Sequence, residues 1–269
     1  MGERKSIFIT GGASGIGRET AKHFAARGWF VGLADVNEAG MRETAAMLPA
    51  GQSSLHILDV RSREQWAAAL ADFWEKAGHR LDVLFNNAGI GKGGPLAEQD
   101  PAAVDATVAI NISGVIYGAV AGFPYLKQTP GSCLLNTASL AGVIGSPGLA
   151  VYCASKFAVR GLTEALDKEW DEHGIKVRDL MPGFIETPIL DGLDTSTNRS
   201  SREMIAATGM EISPVSLAAE EAWNAVHGDA VHVRVGKSAR RLWHLARLFP
   251  NYTRNQLLKD ARKRRTMVD

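Results

Sequence analysis

Ser6-Ile7-Phe8-Ile9-Thr10-Gly11-Gly12-Ala13-Ser14-Gly15-Ile16-Gly17 decides how this chain folds. Its first five residues are apolar without alternation, as in a strand buried on both faces of a parallel sheet. Glycines follow at 11, 12, 15 and 17, and a helical pattern then runs over residues 18–27. Strand, glycine turn and helix in that order aim backbone N–H groups and a helix N-terminus at a phosphate. The glycines let the backbone turn tightly and approach a pyrophosphate with no Cβ in the way. The spacing is Gly-xxx-Gly-x-Gly, not the Gly-x-Gly-xx-Gly of the commonest dinucleotide fingerprint. A loop without a ligand is the plain alternative, and the flanking strand and helix weigh against it.

Outward from this turn, residues 30–34 read as a second strand ending at Asp35. A carboxylate at that tip suits the hydroxyls of an adenosine ribose and repels a 2′-phosphate, which argues for NAD over NADP. Its other reading is an N-cap for the helix of residues 38–48. Strands over 54–58, 83–85, 132–137, 176–180 and 230–235 alternate with helices over 63–77, 101–126, 150–173 and 216–227. The helix over 101–126 is interrupted by Asn111 and Gly114, and Asn111 by itself reads as a satisfied core amide. Trp66, Leu70, Phe73 and Trp74 make a core stripe on the helix of residues 63–77. This cadence specifies an α/β fold, a doubly wound parallel sheet with right-handed crossovers, in which ligands bind at the carboxyl ends of strands. Gly11, Asp35, Asp59, Asn87, Ser139 and Gly183 all fall at such ends.

The composition narrows the function classes. The chain has 269 residues, enough for one large core, and its formal net charge of +1 gives no reason to invoke nucleic acid. Two cysteines, Cys133 and Cys153, make neither a disulfide framework nor a metal site, so no metal is expected and a reducing compartment fits. The N-terminus lacks the form of a signal peptide and no stretch is expected to span a membrane, which together suggest a cytoplasmic protein.

The chemistry gathers at Tyr152-Cys153-Ala154-Ser155-Lys156. Residues four apart share a helix face, so a phenol and an ammonium meet in one small volume. Bringing a tyrosine pKa from about 10 to about 7 takes roughly 4 kcal/mol of preferential stabilisation of the phenolate. A neighbouring cation is a plausible source of much of it. An ordinary amphipathic helix has the same spacing, so the pair gains weight only from its company.

That company resembles the short-chain dehydrogenase/reductase family. Residues 10–17 resemble its cofactor loop, and Asn86-Asn87-Ala88-Gly89 its sheet-stabilising motif. Asn111, Ser139, Tyr152 and Lys156 fall where its catalytic tetrad falls, with 152 − 139 = 13 separating serine and tyrosine. Residues 182–187 resemble the segment that runs along the nicotinamide. The resemblance covers roughly residues 5–236 and implies a Rossmann-like domain. It implies Tyr152 as general acid/base, Lys156 as holder of the nicotinamide ribose and depressor of the tyrosine pKa, and Ser139 as hydrogen-bond donor to the substrate oxygen. It implies that Asn111 holds a water beside the lysine. It places Gly11, Ser14, Gly15 and Ile16 at the phosphates, Asp59 and Val60 at the adenine, Asn87 at a ribose, and Ile185 and Thr187 at the carboxamide. An NAD cofactor and a homodimer or homotetramer follow from the same likeness.

Two stretches lie outside the motifs. Residues 184–213 read as an irregular lid with scattered Ile189, Leu190, Leu193 and Met204, and Leu140, Val143, Ile144, Pro147 and Leu149 suggest an apolar pocket beneath it. Residues 237–269 form a basic extension to the domain of residues 1–236, with Leu242, Leu245 and Leu248 at helical spacing beside Trp243 and Phe249. Pro250 is expected to separate two helices. Such an extension can lie on an anionic membrane surface, but packing through its leucines on protein is the preferred expectation. The function expected is NAD(H)-dependent interconversion of a fairly apolar secondary alcohol and its ketone or aldehyde. An NADPH-dependent carbonyl reductase and a non-catalytic nucleotide sensor on the same fold are the alternatives.

Overall fold

The computed structural model describes residues 4–191, 200–208 and 211–265. Among these, seven strands form one parallel sheet: β1 (Ser6–Thr10), β2 (Phe30–Asp35), β3 (Ser53–Ile57), β4 (Val83–Asn86), β5 (Cys133–Thr137), β6 (Lys176–Pro182) and β7 (His232–Val235). Their order is β3-β2-β1-β4-β5-β6-β7. The order reverses between β1 and β4, which opens a crevice at the carboxyl ends of the central strands.

β1 shows why its sequence does not alternate. Ile7 and Ile9 enter one core layer with Phe24, Ala218 and Ala222, whereas Phe8 enters the opposite layer with Trp66 and Phe73. Helices α1 (Gly15–Ala25), α2 (Glu38–Ala46) and α8 (Val215–His227) cover the first face. Helices α3 (Arg63–Lys76), α4 (Pro101–Val108), α5 (Gly114–Gln128) and α6 (Ala150–Glu169) lie on the second. Local chemistry sets the starts. Asn37 Oδ1 accepts from Gly40 N at 3.0 Å, Ser62 Oγ from Gln65 N at 3.2 Å, and Pro101 follows the capping Asp100.

The interruption anticipated in the helix over 101–126 is a π turn, Ala109–Ser113, joining α4 to α5. One expectation is corrected here. Pro101–Gln128 runs for 28 helical residues, and its most apolar 18-residue stretch has mean hydropathy 1.6, long and apolar enough to cross a membrane. It packs against α3, α6 and β4, so its hydrophobicity serves the second core layer.

The lid region contains a 3-10 turn, Pro188–Asp191, and α7 (Ser201–Thr208), which packs on that turn. Leu193 lies outside the described residues, as does the side chain of Met204. Beyond β7, α9 (Lys237–Leu248) and α10 (Pro250–Arg265) part at Pro250, as its ring predicts. The leucine stripe is only partly what docks. Trp243 is 5% exposed and packs with Val115, Ala138, Val159 and Met181. Leu242 and Leu245 are half-buried, while Leu248 and Phe249 stay exposed. Arg160, Arg234 and Arg247 sit 4.9, 5.4 and 5.2 Å from the Trp243 ring, and two of them come from outside the extension.

Candidate active site

One cavity of about 910 Å³ opens at the carboxyl edge of the sheet. Gly11, Ser14, Gly15, Ile16, Asp35, Asp59, Val60, Asn87, Ser139, Tyr152, Lys156, Ile185 and Thr187 all line it. Asn111 does not. It is fully buried behind the wall in the π turn, and its amide is engaged on both sides. Nδ2 donates to Ile90 O (2.8 Å) and Ser155 Oγ (3.2 Å), and Oδ1 accepts from Ile90 N (2.9 Å).

At one end of the cavity the glycine turn leads into α1. A Cβ at Gly17 would collide with the carbonyl oxygen of Gly11, and Gly11 itself has φ +69°. Ser14 sits at the N-cap, lines the cavity and does not bond α1 through its side chain. Asp35 Oδ2 accepts from Ala13 N at 3.1 Å and Oδ1 from Asn37 N at 3.0 Å. The cap of α2 is Asn37, so the N-cap reading of Asp35 is ruled out. Asp59 is gripped by Arg61, Nε to Oδ1 at 2.9 Å and Nη2 to Oδ2 at 2.6 Å, and this contact holds its carboxyl below the usual range.

Asn86 and Asn87 tie the strand ends together. Asn87 Nδ2 donates to Thr10 O at 3.0 Å and Thr137 Oγ1 donates to Asn87 Oδ1 at 3.2 Å, joining β1, β4 and β5. Asn86 Nδ2 bonds Asn136 Oδ1 (3.1 Å) and Val115 O (3.2 Å) beneath them.

At the centre, Ser139 caps the short turn Leu140–Gly142, its Oγ accepting from Ala141 N at 3.2 Å. Tyr152 lines the cavity together with that serine. Lys156 Nζ donates to Thr137 O at 2.8 Å and stands 5.6 Å from the Tyr152 ring centre. Burial pushes the lysine down to about 8. Burial also raises the Tyr152 pKa, with the Ser139 hydrogen bond opposing it. In the protein alone, then, burial sets the direction, and the group that opposes it is Ser139 rather than the Lys156 that the spacing suggests.

Sequence reasoning missed Arg61, the backbone of Ile90 and Thr137, and Ser155. It also missed Ile205, Leu242 and Leu257, which line the cavity from α7, α9 and α10. The side-chain chemistry of Arg61 was visible beside Asp59. The backbone partners carry no residue-type signal at all.

The family profile for short chain dehydrogenase matches residues 5–198. The chain belongs to the short chain dehydrogenase family. Among its relatives in this oxidoreductase family, meso-2,3-butanediol dehydrogenase of Serratia marcescens is 32% identical over 217 residues, 81% of this chain and 85% of that one. A short chain dehydrogenase/reductase from Burkholderia phymatum in complex with NAD superposes with a TM-score of 0.81 at 28% identity, covering 92% of this chain and 95% of the other. A short chain dehydrogenase from Burkholderia cenocepacia in complex with NADP has a TM-score of 0.80 at 23% identity, covers 95% and 98%, and shares the fold alone.

Proposed function

We propose that this dehydrogenase interconverts an uncharged secondary alcohol and its carbonyl partner with NAD(H). The observation that carries the reading is the meeting of Ser139, Tyr152 and Lys156 on one wall of a cavity whose far end is the glycine turn and Asp35. A bound nicotinamide supplies the hydride acceptor or donor. Tyr152 takes the hydroxyl proton during oxidation and returns it during reduction. Ser139 holds the substrate oxygen, and Lys156 holds a ribose and, as a cation, favours the phenolate. Gly11, Ser14, Gly15 and Ile16 fit a pyrophosphate, Asp59 and Val60 the adenine, Asn87 a ribose, and Ile185 and Thr187 the carboxamide. The buried amide of Asn111 fixes the wall behind Lys156, beside which the water of a proton relay would sit.

NAD is preferred because a 2′-phosphate would face the Asp35 carboxylate, and Arg61, the cation nearest in sequence to the adenine residues, is held by Asp59. Residues 1–236 make the catalytic unit and 237–269 its extension. Cys133 and Cys153, both free and buried, suit a cytoplasmic setting.

A panel of alcohols and ketones read by nicotinamide absorbance with both cofactors tests the assignment. Tyr152→Phe should lower kcat by about 10²–10⁴-fold, with the Kd for NADH within a few-fold of the wild type. Near-normal turnover in that variant would sink the mechanism, and tighter binding of NADPH than NADH would sink the cofactor choice.

A further inference from the structure

The cavity has an end that none of the motifs explains. α9 touches the turn Leu140–Gly142, directly after Ser139, and its first residues close on Gly183. A Cβ there would meet Ser238 Oγ at 3.0 Å and Ala239 Cβ at 3.9 Å. The extension therefore reaches the cavity on the Ser139 side, away from the Asp35 end. α10 leans on α9, and Leu242 and Leu257 face the cavity from the two helices. Ile205 of α7 and Ile189 and Leu190 of the adjoining 3-10 turn line it as well.

Charge divides the cavity. Its charged lining side chains are Asp35, Asp59 and Arg61 at the nucleotide end and Lys156 at the centre. None of the described lining residues beyond Ser139 toward Leu242 and Leu257 carries a charge. A carboxylate or phosphate on the substrate arm would be desolvated there without a partner. An alkyl or alicyclic arm would gain from the same burial.

We propose that α9 and α10 complete an apolar substrate subsite, which takes the hydrocarbon arm of an uncharged secondary alcohol or ketone, and that Leu242 and Leu257 supply the apolar contact that favours a longer arm. The proposal rests on the alcohol–ketone reading above. No additional reactant is involved, since the subsite only binds the unreactive part of the substrate.

Methyl ketones from butanone to decanone, reduced by the full-length enzyme with NADH, provide the test. The wild type should favour the longer members. In Leu242→Ala the decanone-to-butanone ratio of kcat/KM should fall about 10-fold, the scale on which an apolar pocket discriminates methylenes. Leu257→Trp, which fills the subsite, should lower the ratio further. NADH titration identifies variants that are folded. Ratios unchanged in both folded variants would overturn the proposal. If the wild type reduces no ketone, the alcohol–ketone reading fails, and calorimetric binding of decanone to the NADH complex then decides the subsite. Binding in the wild type that disappears in Leu257→Trp supports it, whereas no binding, or equal binding in both, overturns it.

Discussion

Lys156 carries its charge where the surroundings oppose it. Only 4% of the residue is exposed, and burial lowers its pKa from the ordinary 10.5 to about 8. Between these values the unfolded chain binds one more proton than the folded one, so stability rises with pH across this window. Below about pH 8 both states are charged and the full cost of the buried ammonium is present. Replacing the lysine by methionine removes the titration. From pH 8 to 10.5 the unfolding free energy of the wild type should gain on that of Lys156→Met by on the order of 3 kcal/mol. Urea titrations across the window measure it, and parallel curves would show that the ammonium is better solvated than its burial implies. The position of this lysine was legible from its spacing to Tyr152. Its acceptor, the carbonyl of Thr137, was not, because any residue at the end of β5 would offer one.

At the scale of elements, the extension illustrates what a periodic pattern can and cannot specify. Helical spacing of Leu242, Leu245 and Leu248 marks an apolar stripe, yet the buried edge is centred on Ala239 and Trp243. What turns the helix that way comes from distant parts of the chain. Arg160 of α6 and Arg234 of β7 cover the indole, and His232 lies 5.3 Å from it, held by Asp179 (2.9 Å) and Glu164 (3.1 Å). Trp243→Ala should cost about 3–5 kcal/mol, as large-to-small core changes do, and Trp243→Phe should recover part of it. Chemical denaturation checks both. A loss below about 1 kcal/mol in the alanine variant would mean that the extension is held by other contacts.

For the whole molecule, the sheet was legible because its central strands β1, β2, β4 and β5 are apolar on both faces and the helices that cover them on one, a regularity that survives without any partner information. The end of the cavity lined by the glycine turn and Asp35 was legible for a related reason, since turn glycines and strand-end carboxylates must occupy fixed positions. The outer wall escaped notice because contact between residues near 140 and near 242 follows from chain folding and from no local period. Apolar side chains also stay exposed on α5 and α6. Ile116 and Val120 share a face of α5 and are 39% and 68% exposed, and Phe157 of α6 is 42% exposed. A second copy of the chain is the expected cover, so Val120→Glu should shift the protein toward a smaller species in light scattering. An unchanged mass, with the wild type already monomeric, would remove the oligomer from the description.

The π turn gives this enzyme an unusual arithmetic. Such a turn is an α-helix carrying an extra residue, and each residue of a helix advances the face by about 100°. Loss of a single codon within 109–113 would leave a continuous, equally apolar helix between the same neighbours. Yet it would remove the wide turn that holds the Asn111 amide between the Ile90 backbone and Ser155 Oγ, and those hydrogen bonds would lose their geometry. Reading frame, length class and composition would scarcely register the event. In this helix the Asn111 anchor is exposed to insertions and deletions more than to most exchanges of one side chain for another.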